Sequence, residues 1–366
     1  MTPTVELRGM TWNHPRGIDP LVAHAREYEA KHGVRITWDA RSLEDFEAFP
    51  LDELTATYDL LVIDHPHVGM AAASGCLAPF DPSIHFDTVG RSHESYFYAG
   101  KQWALAIDAA AQVSARRAGS LDHWPASWND VMQFARKGRV LCPLAPVHAF
   151  MCFLTLCANL GLPCATSGPR LVDVAMAEDV LQRLRELAAL LPQACFDLNP
   201  ISVFEKMVVD DRYIYSPLIY GYVSYARDGF RKTRLEFGNI PHLAGSTLGG
   251  TGVAVSTRSK NCNAAVAAAI DLASPQTQRG LYASAGGQPA HRDAWTDDSV
   301  NLAAHNFYRD TVATLDASYL RPRFAGYVAF QQSAGALVAE CIKGKLPIEL
   351  TIDRLNNSFA KAQQLT

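Results

Sequence analysis

Apolar and polar positions alternate along this chain in two rhythms. Residues 5–10 run with period two, Val5 and Leu7 against Glu6 and Arg8, which predicts a first strand. A helical period follows over 21–31, with Asp19 as N-cap and Pro20 in the first position. Residues 34–38 return to period two, and 51–57 form a short helix. Leu60-Leu61-Val62-Ile63 is an unbroken apolar run. It suits a strand buried on both faces of a parallel sheet, although a run this short also fits a piece of buried helix. Pro66 disfavours helix at His65 and ends the run in a turn, Asp64–His67. Residues 70–75 are small and read as one or two helical turns with Gly75 near the C-cap. The order strand, helix, strand, helix, strand implies parallel pairing with right-handed crossovers.

The second part of the chain continues in the same style. Residues 100–108 read as a strand leaving this first sheet, and Ser127 caps a helix that begins at Trp128. A short strand is expected at 139–141. Residues 148–159 are strongly apolar and read as a buried helix ending at Gly161, and 178–191 carry leucines at helical spacing. Residues 210–225 are rich in tyrosine. The glycines of 245–252 predict a flexible loop, with a strand at 253–255 after it. Helices are expected over 263–273, stopped by Ser274-Pro275, and over 347–358.

Composition narrows the class. At 366 residues the chain exceeds what one core usually holds, so two lobes or domains are expected. Apolar residues make up 48% and charged ones 19%, the profile of a compact, well-buried globular protein; the α/β class comes from the order of elements. The net charge of −4, without long runs of one sign, leaves no footprint for nucleic acid or an anionic membrane. No stretch is long and apolar enough to span a bilayer, and the first residues carry no signal peptide, which reads as cytoplasmic unless a leader has been removed. The eight cysteines form no CxxC pair and read as buried free thiols of a reducing compartment.

In open α/β sheets ligands sit beyond the carboxyl ends of strands, so chemistry is sought there. Trp12, His14 and Arg16 follow the first strand and offer an apolar face, a hydrogen-bonding ring and a guanidinium fork; the alternative is a surface turn. Ser42 follows the second strand. Asp64 and His65 follow the third, as ligand contacts, as a structural turn, or as part of a metal site. Asp108 either accepts from a ligand or caps a helix. Tyr220 and Tyr222, alternate on a strand, either flank a ligand or belong to a core. Gly250 and Thr251 lie in a loop able to present backbone N–H groups to an anion, or simply to connect lobes. Arg321 either faces the same site or is solvated. If Arg16 and Arg321 share the site, its ligand is anionic. No residue set calls for a metal or another cofactor, and no nucleophile motif appears.

The sequence of motifs resembles the extracellular solute-binding proteins of ABC transporters, family 1 or carbohydrate type. The matching pieces span most of the chain: YDLLVID followed by AAASGCLAPFD, GKQWALAIDAAAQV, PASWNDVMQFAR, the stretch from GTGVAVSTRSK to GGQPAHR, and RPRFAGYVAF. The resemblance implies a type II periplasmic-binding-protein-like fold: lobe 1 of residues 1–108 plus 253–300, lobe 2 of 109–252 plus 301–366, and a ligand cleft between them. The chain would cross near 106–110, 250–255 and 290–301. It implies capture of a small polar ligand, anionic if Arg16 and Arg321 share the cleft, by hinge closure, a monomer, and an ABC permease as partner if the protein is exported. The alternative is an enzyme on the same scaffold acting on a small acid or heterocycle, with His14, His65 or Asp108 as acid or base.

Overall fold

The computed structural model describes residues 5–42, 51–166, 168–242 and 245–364; the first four residues, on which the leader expectation falls, lie outside them. Strand β1 (Val5–Trp12) runs past the alternating stretch because Met10, Thr11 and Trp12 are all buried. Helix α1 (Pro15–His32) begins at Pro15, not near Pro20. Both prolines suit a first turn, and the cap decides between them. The ring Nδ1 of His14 accepts the Arg16 N–H at 3.1 Å, which starts the helix there. Pro20 then sits inside α1 and leaves the carbonyl of Arg16 without its intrahelical donor. Gly33, at φ +67°, closes the helix.

Strands β2 (Val34–Arg41) and β3 (Leu60–Asp64) flank β1 in parallel register. Leu60–Ile63 are at most 3% exposed, as a strand covered on both faces requires. One 3-10 turn, His65–His67, leads into α2 (Val68–Ser74), which ends at Gly75 with φ +64°. Strand β4 (Leu105–Arg117) starts later than the pattern predicts and runs much further. Then follow helix α3 (Pro146–Asn159), strands β5 (Tyr215–Tyr220), β6 (Leu235–Gly238) and β7 (Ser246–Ser256), and helix α4 (Tyr327–Ile342). At 139–141 there is a bridge from Val140 to Tyr215 in place of a strand.

The main path of the sheet is β2-β1-β3-β7-β4-β5, with β6 beside β4. Strands β4 and β7, of 13 and 11 residues, are about twice the usual length. Their first shared stretch, Leu105–Asp108 with Thr251–Val253, belongs with β3. The far half of β4, from Gln112 on, pairs with β5 and β6. The two strands therefore join two half-sheets into a two-lobed α/β molecule. Helix α1 covers the first half with Leu21, Ala25 and Tyr28. Helices α3 and α4 pack together on the second, where Phe150 meets Phe330 edge to face at 5.9 Å.

The expected glycine loop at 245–252 is the crossing strand β7 itself. Its glycines answer close approach. A Cβ on Gly249 would stand 2.6 Å from the ring of Tyr220, and one on Gly250 would stand 2.3 Å from the carbonyl oxygen of Asp108. Gly250 also has φ +92°, beside a register slip between Thr251 and Gly252. Gly250→Ala is expected to lower the unfolding free energy by about 1–3 kcal/mol, combining positive-φ strain with a main-chain clash. Urea denaturation checks this, and a loss below about 0.5 kcal/mol contradicts the crossing-strand account.

Candidate ligand cleft

The cleft lies where β3 ends beside the middle of β7 and the opening residues of β4, at Asp64, Thr251 and Asp108. Register pairs Asp64 with Thr251 and Thr251 with Asp108, so the three side chains form a row on one face. Arg16, in the first turn of α1, reaches Asp108: Nε donates to Oδ2 at 2.8 Å and Nη2 donates to Oδ1. The third branch, Nη1, donates at 2.8 Å to the backbone carbonyl of Gly221, beyond β5 in the second lobe. The guanidinium lies 4.4 Å from the ring centre of Tyr222. Arg16 is 3% and Asp108 1% exposed, so both charges are buried and the bidentate fork is what compensates them. Burial pushes the carboxyl of Asp108 up and Arg16 opposes it, while Asp108 raises Arg16 against its own burial.

Arg321 stands opposite. Its Nη2 is 3.7 Å from Asp64, and its Nη1 donates to Gln331 of α4 at 2.8 Å. Trp12 lies flat on Gly17, where an added Cβ would fall 2.5 Å from the indole. That contact explains the glycine in the first turn of α1. Val147, His148 and Met151 of α3, with Pro200 and Val328, form the apolar side of the second lobe. These walls enclose about 820 Å³ of non-atom space, the open mouth included.

Burial keeps the histidines of this region neutral. It pushes His148 down to about 4 and His65 well below its ordinary value; His67 is lowered too, against Asp64, whose backbone oxygen it meets at 3.1 Å. Burial, with Arg16 and Arg231 beside it, takes His14 to about 3.

Of the residues singled out in the sequence, Trp12, Arg16, Asp64, Asp108, Tyr220, Tyr222, Gly250, Thr251 and Arg321 line this one cleft. Three do not. His14 caps α1 and packs edge to face on Tyr222 at 4.9 Å, with Tyr225 and Phe230 behind it. His65 is fully buried in its 3-10 turn near Tyr96, and Ser42 is exposed past the end of β2. Tyr220 and Tyr222 meet in the cleft by another route than a shared strand face: β5 ends at Tyr220, and Tyr222 opens the turn after it. Both arginines reach the cleft, yet each meets a carboxylate, so the cation pair that would demand an anion is already matched. His148 and Gln331 escape sequence reading. His148 stands in the first turn of an otherwise apolar helix, and that polar position just after Pro146 is the signal that marks it. Among the described residues no group of His, Cys, Asp or Glu is arranged to hold a metal ion.

No family model and no curated protein matches the chain. Solved structures do. Maltose-bound MalE3 of T. maritima has a TM-score of 0.83 at 16% identity, with 99% of each chain covered. An ABC transporter solute-binding protein from Thermotoga lettingae bound with alpha-D-tagatose has a TM-score of 0.82 at 15% identity, covering 98% of this chain and 100% of that one. The maltotriose-binding protein of Thermus thermophilus has 0.76 at 17%, covering 98% and 99%. The fold is thus the two-lobed one of periplasmic binding proteins.

Arg16→Met leaves a buried carboxylate alone and is expected to cost about 3–5 kcal/mol of stability, whereas Arg16→Met with Asp108→Leu recovers most of that loss. Equal losses in single and double variants, measured by denaturant unfolding, contradict the pairing. The pH dependence has a definite sign. His14 is neutral in the folded chain down to about 3 but titrates near 6.5 when unfolded, so the unfolded state binds more protons between those values. Its contribution is fully present above about 6.5 and is lost as pH falls. His14→Asn, which keeps a capping oxygen, is expected to reduce the stability drop between pH 7 and 5 by about 2 kcal/mol. An unchanged drop contradicts the buried neutral ring.

Proposed function

We propose that this protein captures a small neutral polyhydroxylated ligand, a sugar, between its lobes, as the substrate-binding component of an ABC transporter. One observation carries the reading: the charges that line the cleft are matched, Arg16 against Asp108 and Arg321 against Asp64. An anion brought there would have to displace a carboxylate from its arginine. A hydroxylated ligand fits without such exchange, because each hydroxyl both donates and accepts. The rings of Trp12 and Tyr222 supply the flat apolar faces that the carbon skeleton of a sugar needs. The solved proteins of like fold hold maltose, tagatose and maltotriose.

In this reading the lobes are residues 1–108 with 253–300 and 109–252 with 301–366, supported by the half-sheets that β4 and β7 connect. The partner is an ABC permease, and the site of action is outside the cytoplasmic membrane. No described helix is long and apolar enough to cross a membrane. Closure would be driven by the ligand's higher affinity for the closed form. The enzyme alternative finds little to use: His14 and His65 lie away from the cleft lining, and Asp108 is engaged by Arg16.

Titration calorimetry separates the ligand classes. A neutral sugar is expected to bind at least tenfold more tightly than its uronic acid or its phosphate ester, and Trp12→Phe is expected to weaken it by about 1 kcal/mol through lost stacking area. Tighter binding of the anionic analogue contradicts the proposal.

A further inference from the structure

Eight cysteines are a heavy load for a chain that acts outside the cytoplasmic membrane, where thiols are oxidised. All eight are thiols in the structure, and two of them stand against each other deep in the core. Sγ of Cys142 lies 3.9 Å from Sγ of Cys152, and both residues are fully buried. The two sulfurs share one acceptor, the carbonyl oxygen of Leu218 in β5, at 3.7 and 3.8 Å. Nε2 of Gln112 in β4 donates to Sγ of Cys152 at 3.7 Å and holds it from the sheet side. Cys152 lies inside α3, whereas Cys142 lies on the irregular segment that leads into that helix. A disulfide needs its sulfurs at about 2.05 Å. Side-chain rotation covers most of the remaining gap, and the backbone at Cys142, outside helix and strand, can follow it.

We propose that Cys142 and Cys152 form a disulfide as the chain folds in the presence of a disulfide oxidant. The step is thiol–disulfide exchange. The thiolate of one cysteine attacks a sulfur of the oxidant and releases half of it as a thiol. The thiolate of the other cysteine then attacks the mixed disulfide and releases the second half. Two protein thiols are oxidised, the oxidant's disulfide is reduced to two thiols, and the two protons pass to them. Burial sets the timing. The folded pair is out of an oxidant's reach, and the hydrogen bond from Cys152, with burial, pushes the thiol of Cys142 well above its ordinary value, so little thiolate exists there. The bond therefore forms before the core closes, and once buried it is shielded from reductants. It closes a ring of chain from Cys142 to Cys152 that contains Val147, His148 and Met151, which line the cleft. The crosslink braces that wall by restricting the unfolded chain and by tying the segment before α3 to the body of the helix. Nothing in this step involves the ligand, so it stands apart from the sugar reading.

In the experiment the whole chain is reduced, unfolded in guanidinium chloride and refolded by dilution into a mixture of reduced and oxidised glutathione. Cell-free synthesis in the same mixture gives a second route to the folded protein. Remaining thiols are blocked with N-ethylmaleimide in denaturant. The chain is then cut with chymotrypsin, which cleaves between the two cysteines at Phe150, and mapped by mass spectrometry without reduction. A peptide pair joined through Cys142 and Cys152 is expected in most of the folded protein. Chain folded under reductant and then moved to the same mixture is expected to acquire the link at least tenfold more slowly. The oxidised protein is expected to melt at least about 3 °C above the reduced one, a difference that Cys152→Ala abolishes. Recovery of both cysteines as maleimide adducts overturns the disulfide, and so does a link from either of them to Cys195 or Cys164. Equal rates for folded and unfolded chain overturn the timing, and equal melting temperatures overturn the bracing of the wall. Each of these results leaves the sugar reading standing, because sugar binding is read separately by calorimetry on the same folded protein.

Discussion

A bidentate ion pair with almost no access to water sits at the centre of this molecule. Arg16 comes from the first turn of α1, Asp108 from a crossing strand, and the remaining guanidinium branch is held by a carbonyl of the second lobe. Neither charge could be kept there alone, because desolvation of a lone ion exceeds what a fold of ordinary stability tolerates. The surrounding geometry follows from keeping them together. Helix α1 must start at Pro15 for Arg16 to fall in its first turn, Trp12 must fold down on Gly17, and β4 must slip register against β7 at the level of Asp108.

Electrical balance then decides the character of the cleft. Two carboxylates flank Thr251 on neighbouring strands, and each is answered by an arginine from elsewhere in the chain. The histidines nearby are neutral through burial. What remains for recognition is aromatic surface and groups that both give and take hydrogen bonds. Such walls discriminate by shape and hydroxyl placement, since charge offers them no handle.

Much of this was legible in the sequence, and the gaps have physical causes. The strand order, the Leu60–Ile63 run and the strand-end positions of Trp12 and Asp64 follow from periodicity and from proline and glycine punctuation, whereas Asp108, expected at a strand end, is the fourth residue of β4, whose apolar run continues past it. The glycines at 249 and 250 mislead because the same residue serves flexibility and close contact, and only the position of the Tyr220 ring and the Asp108 carbonyl tells them apart. The start of α1 misleads because two prolines compete for one role and the cap is a histidine, outside the usual capping set. Arg16 and Arg321 share the cleft lining, one of the alternatives that the sequence leaves open, but a sequence does not say which carboxylate a guanidinium will meet after the chain has travelled from residue 16 to residue 108. His148 is hidden by its neighbours, which mark the helix as apolar throughout.

The acceptor at Gly221 is part of the main chain. Every amino acid carries that carbonyl, so replacing the residue does not delete the oxygen; only moving the backbone does. The requirement for glycine there arises from Phe307 and Val113, which an added Cβ would approach to 3.1 and 3.2 Å. Mutational coupling between positions 16 and 221 should therefore be weak even though the two are bonded, and a comparison of diverged sequences that searches for paired changes would pass over this joint between the lobes.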